Sequence, residues 1–215
     1  MLSQLLAPLR EGFCPRRGLC GRRAALLNRR MAVTADEWKA VTLVLCDVDG
    51  VLTDAGVFYG PQGEFAKRFF IRDGMGMRLL EQAGVRVGVI TSEDSPVVQA
   101  RVQKLMLSAY KPGMKRKGEA VRALQAQFRA GAAQSVYIGD DVNDAEAFEA
   151  AGIAVAPADA SAWALSRARH VTRQGGGHGA VREVADLILA ARGLDAAALW
   201  AQIHAKAESH DAGTV

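Results

Sequence analysis

The sequence predicts an α/β protein built on a doubly wound parallel sheet. Short apolar runs without polar alternation recur along the chain, as expected for central strands covered on both faces. Helical segments separate these runs, and this alternation implies right-handed crossovers within one sheet. The chain has 215 residues, 50% of them hydrophobic and 23% charged, which suits one globular domain with a substantial core.

The first predicted strand, residues 41–46, ends at a pair of carboxylates. Asp47 and Asp49 leave an extended chain on the same side, and Gly50 lets the chain bend sharply after them. Open α/β sheets bind their ligands at the carboxyl ends of the strands. Like charges this close need a cation, most simply Mg²⁺ held by oxygen ligands. A plain turn explains the same residues equally well at this point.

The other elements follow from turn and helix signals. Residues 56–70 hold two short aromatic and β-branched runs around Pro-Gln-Gly, which predicts a β-hairpin. Further strands are predicted at residues 85–90, 108–110, 135–138 and 153–156, the last of these as the final parallel strand. Helices are predicted over residues 72–83, 94–105, 117–128 and 180–192, followed by a fraying helix at the Ala-rich end.

The positive charge is concentrated at the start of the chain. Residues 1–30 contain seven arginines and one acidic residue, so the net charge of +4 becomes −2 for the remainder. A mildly acidic body argues against a nucleic-acid-binding groove. Because the start of the chain is rich in arginine and nearly free of acids, we interpret residues 1–38 as a basic leader that is disordered or artefactual. A targeting peptide is the alternative. Residues 39–192 form the predicted domain, and residues 193–215 a fraying helical tail.

Cysteine usage and hydropathy indicate a cytoplasmic protein with no membrane partner. The three cysteines, Cys14, Cys20 and Cys46, do not make a disulfide framework, and Cys46 lies within a predicted core strand. No apolar run in the sequence is long enough to cross a bilayer.

Polar groups gather at the carboxyl ends of several predicted strands. Residues 139–144, Gly-Asp-Asp-Val-Asn-Asp, follow one strand, and Thr91 follows another. Lys117 opens a predicted helix. Four segments resemble, in order and spacing, the four signatures of the haloacid dehalogenase superfamily of phosphotransferases: residues 47–50, Thr91, Lys117 and residues 139–144. The hairpin, residues 72–74 and the Gly-rich tail at 176–183 narrow the resemblance to capless phosphatases of 2-keto-3-deoxy sugar acids. The similarity covers about residues 41–191.

This resemblance implies a Mg²⁺-dependent phosphomonoesterase that works through an aspartyl-phosphate. Asp47 would be the nucleophile, and Asp49 would act as general acid and then as general base. Thr91 and Lys117 would bind the phosphoryl group. The Mg²⁺ would be held by Asp47, by the backbone carbonyl of Asp49 and by Asp140.

Residues around these groups would support them. Asp141 and Asp144 would orient Lys117 or the waters of the metal, and Ser92 and Asn143 would lie behind the reacting groups. An ordinary helix cap also explains the acids at 140–144, since carboxylates are favoured at a helix N-terminus.

No large cap domain is inserted, because about 17 residues separate Asp54 from Arg72. The resemblance therefore implies a homotetramer in which the hairpin mediates assembly and a neighbouring subunit closes the active site. Arg72, Asp73 and Gly74 would line the site, and the glycine run with Gly177 and His178 would cover it. A flexible link before the last helix of the domain is the alternative for this run.

Two departures from the octulosonate branch of the family favour a nine-carbon substrate. His178 stands where many octulosonate phosphatases have Arg or Lys, and Thr91-Ser92-Glu93 replaces Thr-Gly-Arg. Glu93, Arg101 and Lys104 resemble the nononate branch, although a solvated helix face explains them equally well. We predict a nononate 9-phosphate as the substrate, with 3-deoxy-D-manno-octulosonate 8-phosphate as the alternative.

Two other classes of protein are weighed against the phosphatase. A receiver-type phosphorylation switch uses similar groups, but its phosphoacceptor follows the third strand and it lacks an acid/base residue like Asp49. A non-catalytic member of the superfamily would act through assembly alone, and no residue in the sequence disables the chemistry.

Overall fold

The computed structural model describes residues 32–211. The strands are β1 (Leu43–Cys46), β2 (Val57–Gly60), β3 (Gly63–Lys67), β4 (Arg86–Ile90), β5 (Ala109–Lys111), β6 (Ser135–Ile138), β7 (Ile153–Ala156) and β8 (His170–Val171). The helices are α1 (Ala35–Ala40), α2 (Ile71–Gln82), α3 (Pro96–Leu105), α4 (Lys117–Phe128), α5 (Ala145–Ala150), α6 (Ala162–Arg167), α7 (Ala180–Ala191) and α8 (Ala196–Asp211).

The main sheet is parallel throughout, with the strand order β5-β4-β1-β6-β7-β8. β1 lies in the middle, where Leu43 pairs with Arg86 of β4 and with Ser135 of β6. β2 and β3 form a separate antiparallel hairpin. The predicted doubly wound α/β fold and its hairpin are therefore confirmed.

The two faces of the sheet carry separate hydrophobic clusters. In β1, Val44 and Cys46 pack with buried residues of α2 and α7, whereas Leu43 and Leu45 pack with residues of α4 and α5. Successive side chains of a strand point to opposite faces, so a strand covered on both sides must be apolar at every position. This burial explains why the run before Asp47 lacks polar alternation.

Local signals place several helix ends as predicted. The Ser95 side chain accepts a hydrogen bond from the backbone N–H of Val98, and Pro96 occupies the first position of α3. α4 spans the predicted residues 117–128, and β6 spans the predicted residues 135–138. Capping and apolar periodicity act over a few neighbouring residues, so these elements can be located without knowledge of the fold.

Four short elements are absent from the sequence-based prediction. The parallel strand after β7 is β8, so naming residues 153–156 as the final parallel strand was wrong. The helices α1, α5 and α6 were also missed, and each has six residues. Elements this short show too little periodicity to be recognised, and tertiary packing decides whether they form.

The first described helix, α1, begins within the predicted basic leader and ends two residues after it. Thr34 and Glu37 form a capping box at the start of α1, and Trp38 is buried with its ring edge-on to His170. Helix α1 therefore packs against the core through Trp38, and residues 1–31 lie outside the described residues. At the other end, Leu199 of α8 is buried in the core, so the predicted tail also contributes to the fold.

Between residues 32 and 211, no helix is both long and apolar enough to span a membrane.

Replacing Trp38 by alanine tests whether α1 belongs to the domain. Because the ring is buried against the core, we expect Trp38→Ala to lower the free energy of unfolding by about 3 kcal/mol or more. Trp200 is 39% exposed, and Trp200→Ala should cost less than about 1 kcal/mol. Urea denaturation, monitored by circular dichroism, measures the free energy of unfolding of both variants. Equal decreases in this free energy for the two variants would show that α1 adds nothing to the core.

Candidate active site

Asp47 directly follows the central strand and meets a buried lysine. Its backbone N–H donates to the carbonyl of Ile138 on β6, and one carboxylate oxygen accepts a hydrogen bond from the N–H of Val48 (2.7 Å). The other oxygen contacts Nζ of Lys117, the first residue of α4. Lys117 is completely buried, and its Nζ also lies 2.7 Å from Oδ1 of Asp144.

Asp144 holds several segments together from a fully buried position. Its Oδ1 also accepts a hydrogen bond from the hydroxyl of Tyr137 (2.7 Å), and its Oδ2 accepts one from the backbone N–H of Asp140 (2.9 Å). Tyr137 was not predicted as a site residue, because it sits inside an apolar strand. Its proximity to the acidic cluster at residues 139–144 is the one signal that could have indicated it.

Burial and mutual repulsion perturb the carboxyl groups of this cluster. Burial, followed by the negative charge of Asp144, raises the pKa of Asp47 to about 6, although Lys117 opposes the shift. Burial and then the charges of Asp144 and Asp47 raise the pKa of Asp140 to about 7. Burial alone would lower the pKa of Lys117, but the two adjacent carboxylates outweigh it and raise the value.

The carboxylates are arranged to receive a divalent cation. One oxygen from each of Asp47, Asp140 and Asp144 lies within 4.8 Å of the others. Asp144 is completely buried and accepts hydrogen bonds from four donors, whereas Asp47 accepts from two and Asp140 is partly exposed. Asp47 and Asp140 are therefore better placed as metal ligands. Hard cations such as Mg²⁺ prefer carboxylate oxygens, and such a cation would offset the mutual repulsion that, together with burial, raises the pKa values of Asp47 and Asp140.

Gly50 allows the loop after β1 to approach Asp140. Its φ is +77°, and a Cβ atom added here would lie 2.1 Å from Oδ2 of Asp140. Any other residue would strain the backbone and displace the carboxylate. The predicted sharp turn at Gly50 thus brings two strand ends into contact.

Asp49 has a partner that the sequence analysis missed. Its carboxylate oxygens lie 2.7 and 2.8 Å from Nζ of Lys67, the last residue of the hairpin. Lys67 was not predicted as a site residue, because sequence spacing does not show where a hairpin folds back. Residues 47 and 49 therefore have different cationic partners.

Most of the predicted catalytic and metal-binding residues line one cleft, which we call the acidic cleft. It has a volume of about 340 Å³. Thr91 is buried at its wall, and its Oγ1 accepts a hydrogen bond from the N–H of Glu93. The lining residues are Asp47, Asp49, Ala55, Thr91, Ser92, Glu93, Asp140, Asp141, Val142 and Asn143.

Seven predicted substrate contacts do not line the acidic cleft within one chain. Arg72 and His178 line a second cleft of about 500 Å³, beside Arg182. Arg101 lies over the ring of Phe69. The others in this set are Asp73, Gly74, Lys104 and Gly177.

Asp73 is buried between the starts of two helices. It is 1% exposed, and it accepts hydrogen bonds from backbone N–H groups at the start of α7, including that of Arg182 (2.7 Å). Burial raises its pKa to about 6, against the effect of these donors. Asp73 therefore joins the starts of α2 and α7, and within one chain it does not line the acidic cleft.

Gly74 and Gly177 are positions of close packing. A Cβ on Gly74 would lie 2.5 Å from a guanidinium nitrogen of Arg101. Gly177 donates its N–H to the carbonyl of Val51 (3.0 Å), so the glycine run packs against the loop that follows Asp49. Lys104 is exposed on α3.

The chain is similar in sequence to known phosphatases. Residues 100–183 match the haloacid dehalogenase-like hydrolase family. The chain is 40% identical over 153 residues to the 3-deoxy-D-manno-octulosonate 8-phosphate phosphatase KdsC of Haemophilus influenzae, covering 71% of this chain and 85% of that protein. The Yersinia pestis phosphatase of the same name is 40% identical over 152 residues, with 71% and 81% covered.

Solved structures of such phosphatases share the fold. The cobalt-bound Haemophilus influenzae enzyme superposes with a TM-score of 0.72 at 39% identity, covering 73% of this chain and 92% of that one. The Moraxella catarrhalis enzyme, in complex with magnesium, phosphate and the sugar acid KDO, gives a TM-score of 0.73 at 31% identity, with 79% and 97% covered.

Metal binding should stabilise the protein more strongly at higher pH. A carboxyl with a raised pKa stabilises the fold when protonated, and this contribution is lost as pH rises from about 4 to the folded-state values of about 6 and 7. Mg²⁺ binds the ionised carboxylates and offsets their repulsion. We expect Mg²⁺ at about 100 times its Kd to add about 2–3 kcal/mol at about pH 8 and much less at about pH 5.

Thermal unfolding with and without Mg²⁺ measures this effect. Asp140→Asn should abolish most of the rise in Tm, whereas Asp36→Asn, at an exposed position on α1, should leave it unchanged. A rise in Tm that does not depend on pH, or that persists in Asp140→Asn, would contradict the metal assignment.

Proposed function

The chain belongs to the 3-deoxy-D-manno-octulosonate 8-phosphate phosphatase family of haloacid dehalogenase-like hydrolases, and we propose that it hydrolyses 3-deoxy-D-manno-octulosonate 8-phosphate. Family membership confirms the predicted superfamily and the phosphoric monoester hydrolase activity, and it argues against the receiver-type switch. The observation that carries the proposal is the convergence of Asp47, Asp49, Thr91 and Asp140 on one cleft, with Lys117 buried beneath it.

The first step transfers the phosphoryl group to Asp47. An oxygen of Asp47 attacks phosphorus, the bond between phosphorus and the sugar oxygen breaks, and the sugar oxygen takes a proton from Asp49. Lys117 keeps the Asp47 carboxylate oriented and places positive charge where the transferred group becomes more negative. Thr91 offers its hydroxyl to a phosphate oxygen.

The second step releases phosphate and restores the enzyme. Water attacks phosphorus of the aspartyl-phosphate, Asp49 takes the water's proton, and the bond between phosphorus and the Asp47 oxygen breaks. The products are the free sugar acid and inorganic phosphate. Asp49 thereby returns to the protonated form that the next turnover needs.

Asp47 and Asp140 would hold the Mg²⁺ of this family, together with the backbone carbonyl of Asp49. The bound ion supplies positive charge that draws the phosphate toward the attacking carboxylate and reduces their repulsion. Asp144 would hold Lys117, Asp140 and Asp141 in place, because its two oxygens accept their hydrogen bonds. Ser92 and Asn143 line the same cleft.

The eight-carbon substrate has better support than the nine-carbon substrate that the sequence analysis ranked first. The relatives described above are named for the octulosonate 8-phosphate. Of the three residues that favoured a nononate, Glu93 lines the acidic cleft, whereas Arg101 packs on Phe69 and Lys104 is exposed. Because Glu93 lines the acidic cleft, a nononate 9-phosphate is the second candidate substrate.

Substrate choice is tested by phosphate release from both sugar acid phosphates. We expect kcat/KM for 3-deoxy-D-manno-octulosonate 8-phosphate to exceed that for the nononate 9-phosphate by about tenfold or more, a difference of about 1.4 kcal/mol in transition-state binding. Equal values, or a preference for the nononate, would restore the nine-carbon substrate.

The variant Asp47→Asn tests whether the phosphate release depends on the Asp47 nucleophile. It removes the nucleophile and should lower kcat/KM at least about 10³-fold on either substrate. EDTA should abolish turnover by the unaltered protein. Full activity in Asp47→Asn would refute the aspartyl-phosphate mechanism.

A homotetramer assembled through the hairpin is supported by the apolar surface of the single chain. Phe58, Tyr59 and Phe65 are 55%, 72% and 64% exposed on this hairpin. Exposed aromatic groups this close together are typical of protein interfaces. A neighbouring chain would bring a second set of groups, such as Arg72 and His178, toward the acidic cleft.

Light scattering coupled to gel filtration tests this assembly. We expect a tetramer for the unaltered chain and smaller species for Phe58→Ser/Phe65→Ser, because the interface loses two aromatic contacts. Leu194→Ser, at a 38% exposed position outside the hairpin, should stay tetrameric. A monomeric unaltered chain would remove the shared-site proposal.

A further inference from the structure

Lys67 is a buried cation on an otherwise exposed hairpin. Its side chain is 1% exposed, whereas Phe65, two residues earlier on β3, is 64% exposed. Removing an ammonium group from water is costly unless oxygen ligands replace the lost hydration. The hairpin therefore directs this one side chain inward, toward the carboxyl edge of the main sheet.

Three carboxylate oxygens surround the Lys67 ammonium. Nζ lies 2.7 and 2.8 Å from the two oxygens of Asp49, and 3.3 Å from Oε2 of Glu64. Two of its three N–H donors bond Asp49, and the ion pair with Glu64 adds a third neighbouring carboxylate oxygen. Asp49 receives both of its shortest contacts from Lys67, and a longer one, at 3.4 Å, from the Thr53 hydroxyl.

The position of Lys67 is itself fixed from the other side. Glu64 precedes it on β3 and accepts a hydrogen bond from the Ser95 hydroxyl at the start of α3. Ser95 is buried and also accepts a hydrogen bond from the N–H of Val98. A continuous set of polar contacts thus runs from the start of α3 through Glu64 and Lys67 to Asp49.

We infer that Lys67 is a positioning residue that orients the Asp49 carboxylate for proton transfer to the departing sugar oxygen. The inference rests on the proposed acid/base role of Asp49. Lys67 lies behind Asp49 and does not line the acidic cleft, so it acts through the carboxylate rather than on the substrate. Without Lys67, the Asp49 side chain can rotate away, and a misplaced acid transfers its proton poorly.

This role affects only leaving groups that need a proton. When the phosphorus–oxygen bond breaks, a sugar oxygen must be protonated by Asp49, whereas p-nitrophenolate leaves as a stable anion. The ratio kcat/KM reports the steps through release of the first product, so it isolates this proton transfer from the later hydrolysis of the aspartyl-phosphate. Comparing the two substrates therefore separates positioning of the acid from general damage to the site.

The test measures kcat/KM for the sugar acid phosphate and for p-nitrophenyl phosphate in Lys67→Met. We expect a loss of about 10- to 100-fold for the sugar acid phosphate and less than about threefold for p-nitrophenyl phosphate. Lys39→Met removes an exposed lysine on α1 and should change neither value. Equal losses on both substrates, or no loss on either, would overturn the inference.

Two further measurements exclude other roles for Lys67. The first is substrate binding, measured by calorimetry in the inactive Asp47→Asn variant. Adding Lys67→Met to this variant should change the Kd of the sugar acid phosphate by less than about threefold. A larger change would show that Lys67 binds the substrate instead. The double variant Lys67→Met/Glu64→Gln also removes the charge left unpaired on Glu64. It should fold by circular dichroism and show the same substrate-selective loss; an equal loss on both substrates would overturn the inference here too.

Asp49→Asn separates failure of this inference from failure of the proposed function. If Asp49→Asn loses activity on the sugar acid phosphate while Lys67→Met keeps it, the role of Lys67 is wrong and the proposed function stands. If Asp49→Asn keeps full activity, the acid/base assignment itself is wrong.

Discussion

The active site depends on one buried ammonium group, that of Lys117, held between the carboxylates of Asp47 and Asp144. Lys117 and Asp144 are completely buried, and a buried charge that loses its partner costs about 3–5 kcal/mol. A positive charge at the start of a helix is also unfavourable, because the helix dipole is positive there. The two carboxylates offset both costs, and in doing so they bind the end of β1, the start of α4 and the loop after β6 to one another.

The same arrangement places negative charge where a metal is needed. Asp144 is surrounded by donors from Lys117, Tyr137 and backbone N–H groups, so its charge is largely compensated. Asp47 and Asp140 have fewer donors, and burial, followed by the charges of neighbouring carboxylates, raises the pKa of both groups. A divalent cation held by Asp47 and Asp140 would offset this negative charge.

The hairpin takes part in the site as well as in the proposed assembly. Its aromatic residues face outward, while Lys67 points inward to Asp49. Asp47 and Asp49 are two residues apart, yet separate lysines from different parts of the chain hold them. This division suits two carboxylates with different roles, one attacking phosphorus and the other moving a proton.

The sequence by itself determined the central strands, the long helices, the hairpin and the acids at the strand ends, because apolar periodicity and turn chemistry are local properties. It also indicated Mg²⁺, since parallel strands bring their carboxyl ends to one edge of a sheet. Only the tertiary structure decided that Lys67 meets Asp49, that Tyr137 supports Asp144 and that Asp73 is buried at the start of α7. These contacts join residues whose positions depend on how the whole chain packs, and no local pattern records that packing.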